Sequence, residues 1–154
     1  MPITPGIASD WILEVAAYAD GVEPTAYTRV RGITNFTPPG VSKNLEDDSD
    51  FDSGAWGSQI GTGLDYTISG TVKVPRASLT TDPGQEILRA AGKAVAEDGF
   101  VHFRVYKKEA LEGYSGLADA TFTEAGGART DLTTAEFTLA GRGELADYEV
   151  PVIP

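Results

Sequence analysis

Residues 44–74 read NLEDDSDFDSGAWGSQIGTGLDYTISGTVKV, an acidic, glycine-rich run with one tryptophan that leads straight into a two-residue alternation. Successive side chains of a strand point to opposite sides, so Leu64, Tyr66, Ile68, Gly70, Val72 and Val74 share one face and Asp65, Thr67, Ser69, Thr71 and Lys73 share the other. The pattern predicts a strand with one dry and one wet face. The run before it predicts a flexible charged loop over 43–60, hung from a rigid β support, and such a combination suits a surface that meets another subunit.

Working outward, weaker alternation predicts strands at 11–18, 27–33, 100–106, 118–123 and 134–141. Six strands are enough for a sandwich or barrel, so the expected class is mainly β. The link EAGGARTD, 124–131, suits a hairpin that pairs 118–123 with 134–141 antiparallel. The polar sides of those two strands carry Asp119, Thr121, Thr123, Thr134, Glu136 and Thr138, which fits a sheet with one hydrated face and fits ordinary solvent exposure equally.

One helix is predicted over 82–95. Asp82 caps its free N–H groups, Pro83 takes the first helical position, and Gln85 is placed to complete a capping box. Ile87, Leu88, Ala91, Ala94 and Val95 form one stripe with Glu86, Arg89 and Lys93 outward, so the helix is expected to lie over an open side or end of the sheet. Both chain ends look like arms: 1–9 carries two prolines and a glycine, and 148–154, YEVPVIP, is an apolar extended tail that either docks locally or reaches a neighbour.

A chain of 154 residues suits a single domain, 1–154, which at this length buries roughly 70% of the surface its unfolded form exposes. Its net charge of −11 opposes attraction to nucleic acid or anionic lipid. With no cysteine there is no disulfide, no thiolate chemistry and no Cys-ligated zinc. The opening 21 residues lack a basic leader and a long apolar run, so a soluble chain made in a cytoplasm is expected.

Catalytic signatures are scarce. The one histidine, His102, alternates with Phe100, Arg104 and Tyr106 on a predicted strand, with no nucleophile motif beside it. Asp48, Asp50 and Asp52 have the alternate spacing of a calcium loop, but the turn glycine, Gly54, comes one place late and Gln59 stands where the closing glutamate belongs. Gly61-Thr62-Gly63 precedes a strand rather than a helix, so it is no phosphate cradle, and Asn35-Phe36-Thr37 matches a glycosylation acceptor only by accident. Abundant carboxylates without a paired acid motif give no support to a hydrolase. No enzyme activity, cofactor or metal is expected.

The segment 30–74, VRGITNFTPPGVSKNLEDDSDFDSGAWGSQIGTGLDYTISGTVKV, resembles the major tail proteins that form the tail tube of long-tailed, non-contractile bacteriophages, the siphophages. The shared elements are a glycine-containing strand, the N-F-T-P-P turn, a lysine before an acidic loop, a Trp-Gly pair and a Tyr-x-x-x-G strand. A mid-chain helix opening with D-P-G-Q, an FRVY-like strand and a Thr-rich hairpin follow in the same order, so most of the chain is covered.

The resemblance implies a virion subunit, assembled in the host cytoplasm, that forms hexameric rings stacked into a hollow tube for genome delivery. It implies a β-sandwich or barrel-like core with one helix, a long inter-strand loop and extended arms. The implied partners are the chain itself, the tape measure protein, the tail terminator and the distal tail protein, with phage DNA passing without sticking and no membrane binding. The implied subunit contacts are Asp47, Asp48, Asp50, Phe51, Asp52, Trp56 and Ile60 of the loop, with Phe51 and Trp56 as aromatic anchors, and Tyr148, Val150 and Val152 of the tail. Lumen candidates are Asp65, Thr67, Ser69, Thr71, Asp119, Thr121, Thr123, Glu136 and Thr138, with Lys73 departing in sign. A different reading of the same strands is an Ig-like or carbohydrate-binding β-sandwich that uses Trp56 and Tyr114, with calcium in the acidic loop.

Overall fold

The chain was analysed in a computed structural model that describes residues 2–20, 22–75, 82–108, 112–129 and 131–151. Its strands are β1 (Trp11–Ala17), β2 (Thr28–Arg29), β3 (Ile33–Asp47), β4 (Gln59–Lys73), β5 (Phe100–Lys107), β6 (Glu112–Ala125) and β7 (Thr134–Glu149), with one α-helix, α1 (Pro83–Gly92). All seven belong to one sheet in the order β2-β1-β5-β6-β7-β4-β3, and every neighbouring pair is antiparallel. The fold is therefore mainly β with a single helix, as the alternation predicts.

The two edge strands, β2 and β3, are consecutive in the chain and only Val30, Arg31 and Gly32 separate them. Four Cα steps of 3.8 Å reach at most about 15 Å, so the sheet must curl until its edges nearly meet. One continuous run thus changes partner: Val30 N donates to Leu13 O of β1 at 2.9 Å, and Lys73 N of β4 donates to Gly32 O at 2.8 Å. Gly32 turns the corner at φ +80°, a conformation L side chains rarely adopt.

Helix α1 lies on the concave side and packs mainly on β6 and β1. Leu88 and Ala91 join a core built from Leu13, Val15, Ile68, Val72, Val101, Phe103, Val105, Phe137 and Leu139. The N-terminus of the helix sits on the seam. Asp82 Oδ2 accepts from both Gln85 N and Arg31 N at 3.1 Å, while the buried Gln85 side chain donates through Nε2 to Arg31 O and Lys73 O, each at 2.8 Å. Asp82 and Pro83 take the predicted capping positions, but Gln85 does not complete a capping box, because its amide bridges the seam instead. The helix also stops at Gly92, one turn short of the predicted end, which leaves Val95 exposed rather than on the apolar stripe.

The largest departure from the sequence reading is β3. Residues 33–47 form one 15-residue strand that runs through Pro38 and Pro39, where the pairing shifts register between Thr37 and Gly40. Proline cannot donate to a ladder, and β3 is an edge strand whose outer side needs no donor, so both prolines are tolerated there. The predicted strand 27–33 is reduced to the two residues of β2 and the crossing segment. The pairing of 118–123 with 134–141 is as expected, and it extends from Ala125↔Thr134 to Glu112↔Glu149.

Replacing Gln85 by leucine removes both seam bonds and leaves two carbonyl groups short of a donor. At about 1–1.5 kcal/mol per lost bond plus the desolvation of the orphaned groups, the expected loss is about 3 kcal/mol, measurable by urea unfolding. An unchanged midpoint would show that the seam does not depend on this side chain.

Candidate functional site

Directly opposed residues of paired strands share a face, so the register fixes which polar side chains stand together. Thr121, Thr138, Ser69 and Thr37 form one row across β6, β7, β4 and β3. Thr123, Glu136, Thr71 and Asn35 form the next row, and Asp119, Ala140, Thr67 and Gly40 the one on the other side. Eight of the nine predicted lumen residues thus lie on one continuous face, opposite the core, and Asp65 continues it on the projecting part of β4, opposite Ser42. Thr121 Oγ1 donates to Thr138 O at 3.3 Å within the central row. Lys73, opposite Thr134, sits at the margin of this surface, and Arg142 stands over the Phe100 ring at 4.3 Å. Sequence reading missed the contribution of Asn35, Thr37 and Ser42, although the polar-apolar-polar step Asn35-Phe36-Thr37 is the signal of a half-buried strand.

The segment predicted as a flexible loop, 43–60, is strand at both ends, 43–47 in β3 and 59–60 in β4. β3 and β4 pair from Ile33↔Val72 to Asp47↔Gln59, yet β4 pairs with β7 only between Thr67 and Lys73. Beyond that point the two strands project as a ribbon with no third strand beside them, and the turn is confined to 48–58. The aliphatic pattern that fills the core continues onto this ribbon, where Val41, Leu45 and Leu64 are exposed for want of anything to cover them.

The tip is ordered by its own side chains. Ser49 N donates to Asp47 Oδ1 at 2.8 Å, Asp52 N to Asp50 Oδ1 at 3.0 Å, Asp50 N to Ser53 Oγ at 3.0 Å and Ser58 N to Ser49 Oγ at 2.7 Å. Hydrogen bonding from Ser49 holds the Asp47 carboxyl below the usual range. Asp48 and Asp52 are exposed beside them. Phe51 projects fully into solvent, Trp56 is 86% exposed, and Ile60, opposite Glu46, is exposed as well. Among the described residues no group of three or more acidic, His or Cys side chains is arranged to hold a metal ion.

Of the two alternatives for the tail, its described part takes local docking. Tyr148 belongs to β7, opposite Gly113, and is half-buried on its own domain, where Arg104 is stacked between its ring at 4.7 Å and that of Tyr27 at 3.7 Å. It is committed to its own sheet, because β6 and β7 pair to Glu112↔Glu149. Val150 follows the strand half-buried, and Val152 lies outside the described residues. The same convex surface carries the Tyr106 hydroxyl, which donates to the Glu14 carboxylate. His102 stacks on Tyr18 at 5.7 Å, and burial lowers its pKa.

No protein-family model matches this chain, and no curated protein does. Solved structures do. A chain of the anti-feeding prophage baseplate, resolved with 6-fold symmetry, is similar with a TM-score of 0.67 at 6% identity, over 98% of this chain and 100% of that one. The fold is one built into tail-like particles. A chain from the tail of an empty gene transfer agent particle, refined with C6 symmetry, gives a TM-score of 0.60 at 16% identity over 92% and 98% of the two chains. One from the sheath-tube complex of an extracellular contractile injection system gives 0.61 at 12% identity, over 95% and 93%. Because these particles include contractile systems, the fold does not single out the non-contractile tails that the sequence resembles.

The Tyr106 contact yields a pH prediction. Burial first, then the hydrogen bond to Glu14 and its charge, push the Tyr106 hydroxyl up to about 12. The folded chain holds this proton more tightly than the unfolded chain, whose tyrosines titrate near about 10, so the contribution is complete below that pH and is lost as pH rises towards the folded value. Stability measured by urea unfolding is expected to fall above about pH 10 more steeply for the native protein than for Tyr106→Phe. Identical slopes would contradict the assignment.

Proposed function

We propose that this chain is a structural subunit of a phage-type tail tube, located in the tail of the particle, where copies join into rings and the rings stack around a lumen. The observation that carries this reading is the projecting β3–β4 ribbon, which exposes Val41, Leu45, Leu64, Phe51 and Trp56 with no partner for them among the described residues. Apolar side chains and large aromatics rimmed by polar groups are what a protein interface uses as anchors. The similarity in fold to chains of six-fold tail-like particles supports hexamers as the ring state.

The continuous polar face supplies the second half of the proposal. In a closed ring, Asp65, Thr67, Ser69, Thr71, Asp119, Thr121, Thr123, Glu136 and Thr138 would line the lumen. Carboxylates repel phosphate, and hydroxyls offer it only uncharged hydrogen bonds in place of ion pairs, so DNA would pass without adhering. The free edges of β2 and β3 are available for pairing with neighbours, which is how rings remove exposed strand edges. A tape measure protein inside the tube, a terminator at one end and a distal tail protein at the other are the further partners of this role.

Negative-stain electron microscopy with sedimentation, over a concentration series and with tail partners added, tests the proposal: rings or hollow tubes are expected. Trp56→Ala is expected to raise the concentration needed for assembly about tenfold, the effect of removing an interface anchor worth about 1.4 kcal/mol. A chain that remains monomeric under all these conditions would refute the tube role.

A further inference from the structure

The acidic tip of the ribbon has a counterpart on the same molecule. Where the partner-switching segment crosses from β2 to β3 it leaves a recess of about 340 Å³, lined by Arg29, Arg31 and Thr34 and floored by Trp11 and Phe36. The two rings meet at 5.9 Å between centroids, and Lys107 Nζ lies 5.0 Å from the Trp11 ring. In a chain of net charge −11 this is an aromatic floor among cations. Its volume is at the small end of the roughly 300–1,000 Å³ of binding pockets, enough for one aromatic side chain and its neighbours.

The tip is its complement. Residues 46–58 hold five carboxylates and neither lysine nor arginine. Phe51 stands between Asp50 and Asp52 on a turn that the Asp50–Ser53 bonds already fix, so little conformational freedom remains to be lost on docking.

Resting on the reading of this chain as a self-assembling tube subunit, we propose that the tip of one copy seats in the recess of the next. Phe51 lies against Trp11 and Phe36, and its flanking carboxylates face Arg31 and Lys107. Opposite charge and matched aromatic surface select this occupant over a nucleic acid, whose phosphates the tip's partner surface would attract but whose approach the rest of the chain repels. A copy cannot fill its own recess. Phe36 and Asp47 are separated by eleven steps along β3, about 36 Å at 3.3 Å per residue, and the ribbon points away from the seam. With knob and hole at opposite ends of one strand, the contact is heterologous and repeats head to tail, as stacking requires.

The absence of cysteine allows a direct test. Protein carrying Ala55→Cys at the tip, mixed with protein carrying Thr34→Cys in the recess and mildly oxidised, is expected to give a disulfide-linked dimer. Gly126→Cys in place of Thr34→Cys is expected to give none, and adding Phe51→Ala to the tip variant is expected to lower the yield severalfold. A charge arm uses Arg31→Glu and Asp52→Lys, which spare Asp50 in its capping role and Arg29 opposite Glu14; circular dichroism verifies the fold of each. Either change alone is expected to reduce head-to-tail association at low salt, and the two together to restore it. Equal cross-linking at positions 34 and 126, or a double variant no better than either single one, would overturn the docking whether or not tubes form. Cysteine variants that cross-link as expected while the wild-type protein forms no rings or tubes would instead refute the tube reading alone.

Discussion

Two edge strands joined by three residues cannot lie at the two ends of a flat sheet, and the rest of this structure follows from that constraint. The sheet curls, its concave side becomes a core only partly enclosed by strands, and α1 fills it. The helix is more than a plug. Gly84 brings it so close to the crossing segment that a Cβ would stand 2.6 Å from Arg29 O, and Gln85 then reaches the carbonyls on both sides of the seam. Its Nε2 is bonded twice while its Oε1 is buried without a partner among the described residues, a cost the seam bonds must offset.

What was legible in the sequence was whatever a core enforces. The strict alternation of 64–74 gave its strand and polar face, because Ile68 and Val72 must be buried. The Thr-rich strands β6 and β7 paired as read, and the helix began where Asp82 and Pro83 announce it. The ribbon was illegible for the same reason. Val41, Leu45 and Leu64 continue an apolar pattern with nothing beneath them, while carboxylates and a double proline interrupt the signal. The seam was illegible for another reason: Gln85 is a good capping-box residue locally, and only the arrival of Arg31 and Lys73 from elsewhere in the chain gives its amide a better use.

The division of surfaces is simple. The face opposite the core on β6, β7, β4 and β3 is hydroxyl-rich and acidic, the β1–β5 side is covered by stacked arginine and tyrosine, and the ribbon carries exposed aliphatic and aromatic groups. Tyr66 shows how closely the root of that ribbon is fitted. Its ring occupies the space a side chain at Gly141 would need, 2.4 Å from where a Cβ would stand, and its hydroxyl donates to Leu117 O at 3.2 Å. The last buried side chain of β4 before the ribbon leaves the sheet is thus locked to β6 and β7.

β3 also defines a load path. It runs unbroken from the seam to the tip and is joined to β4 by twelve residue pairs whose hydrogen bonds lie across the strand direction. Tension along the ribbon would be carried by its two backbones in parallel, with those bonds keeping them in register, and the force would be delivered at its root to Gln85, Asp82 and the core. A sideways pull would bend the ribbon at its root, where β4 leaves β7 at Thr67. The molecule is stiff along one axis and compliant across it, a mechanical anisotropy set by the place where two strands leave the sheet.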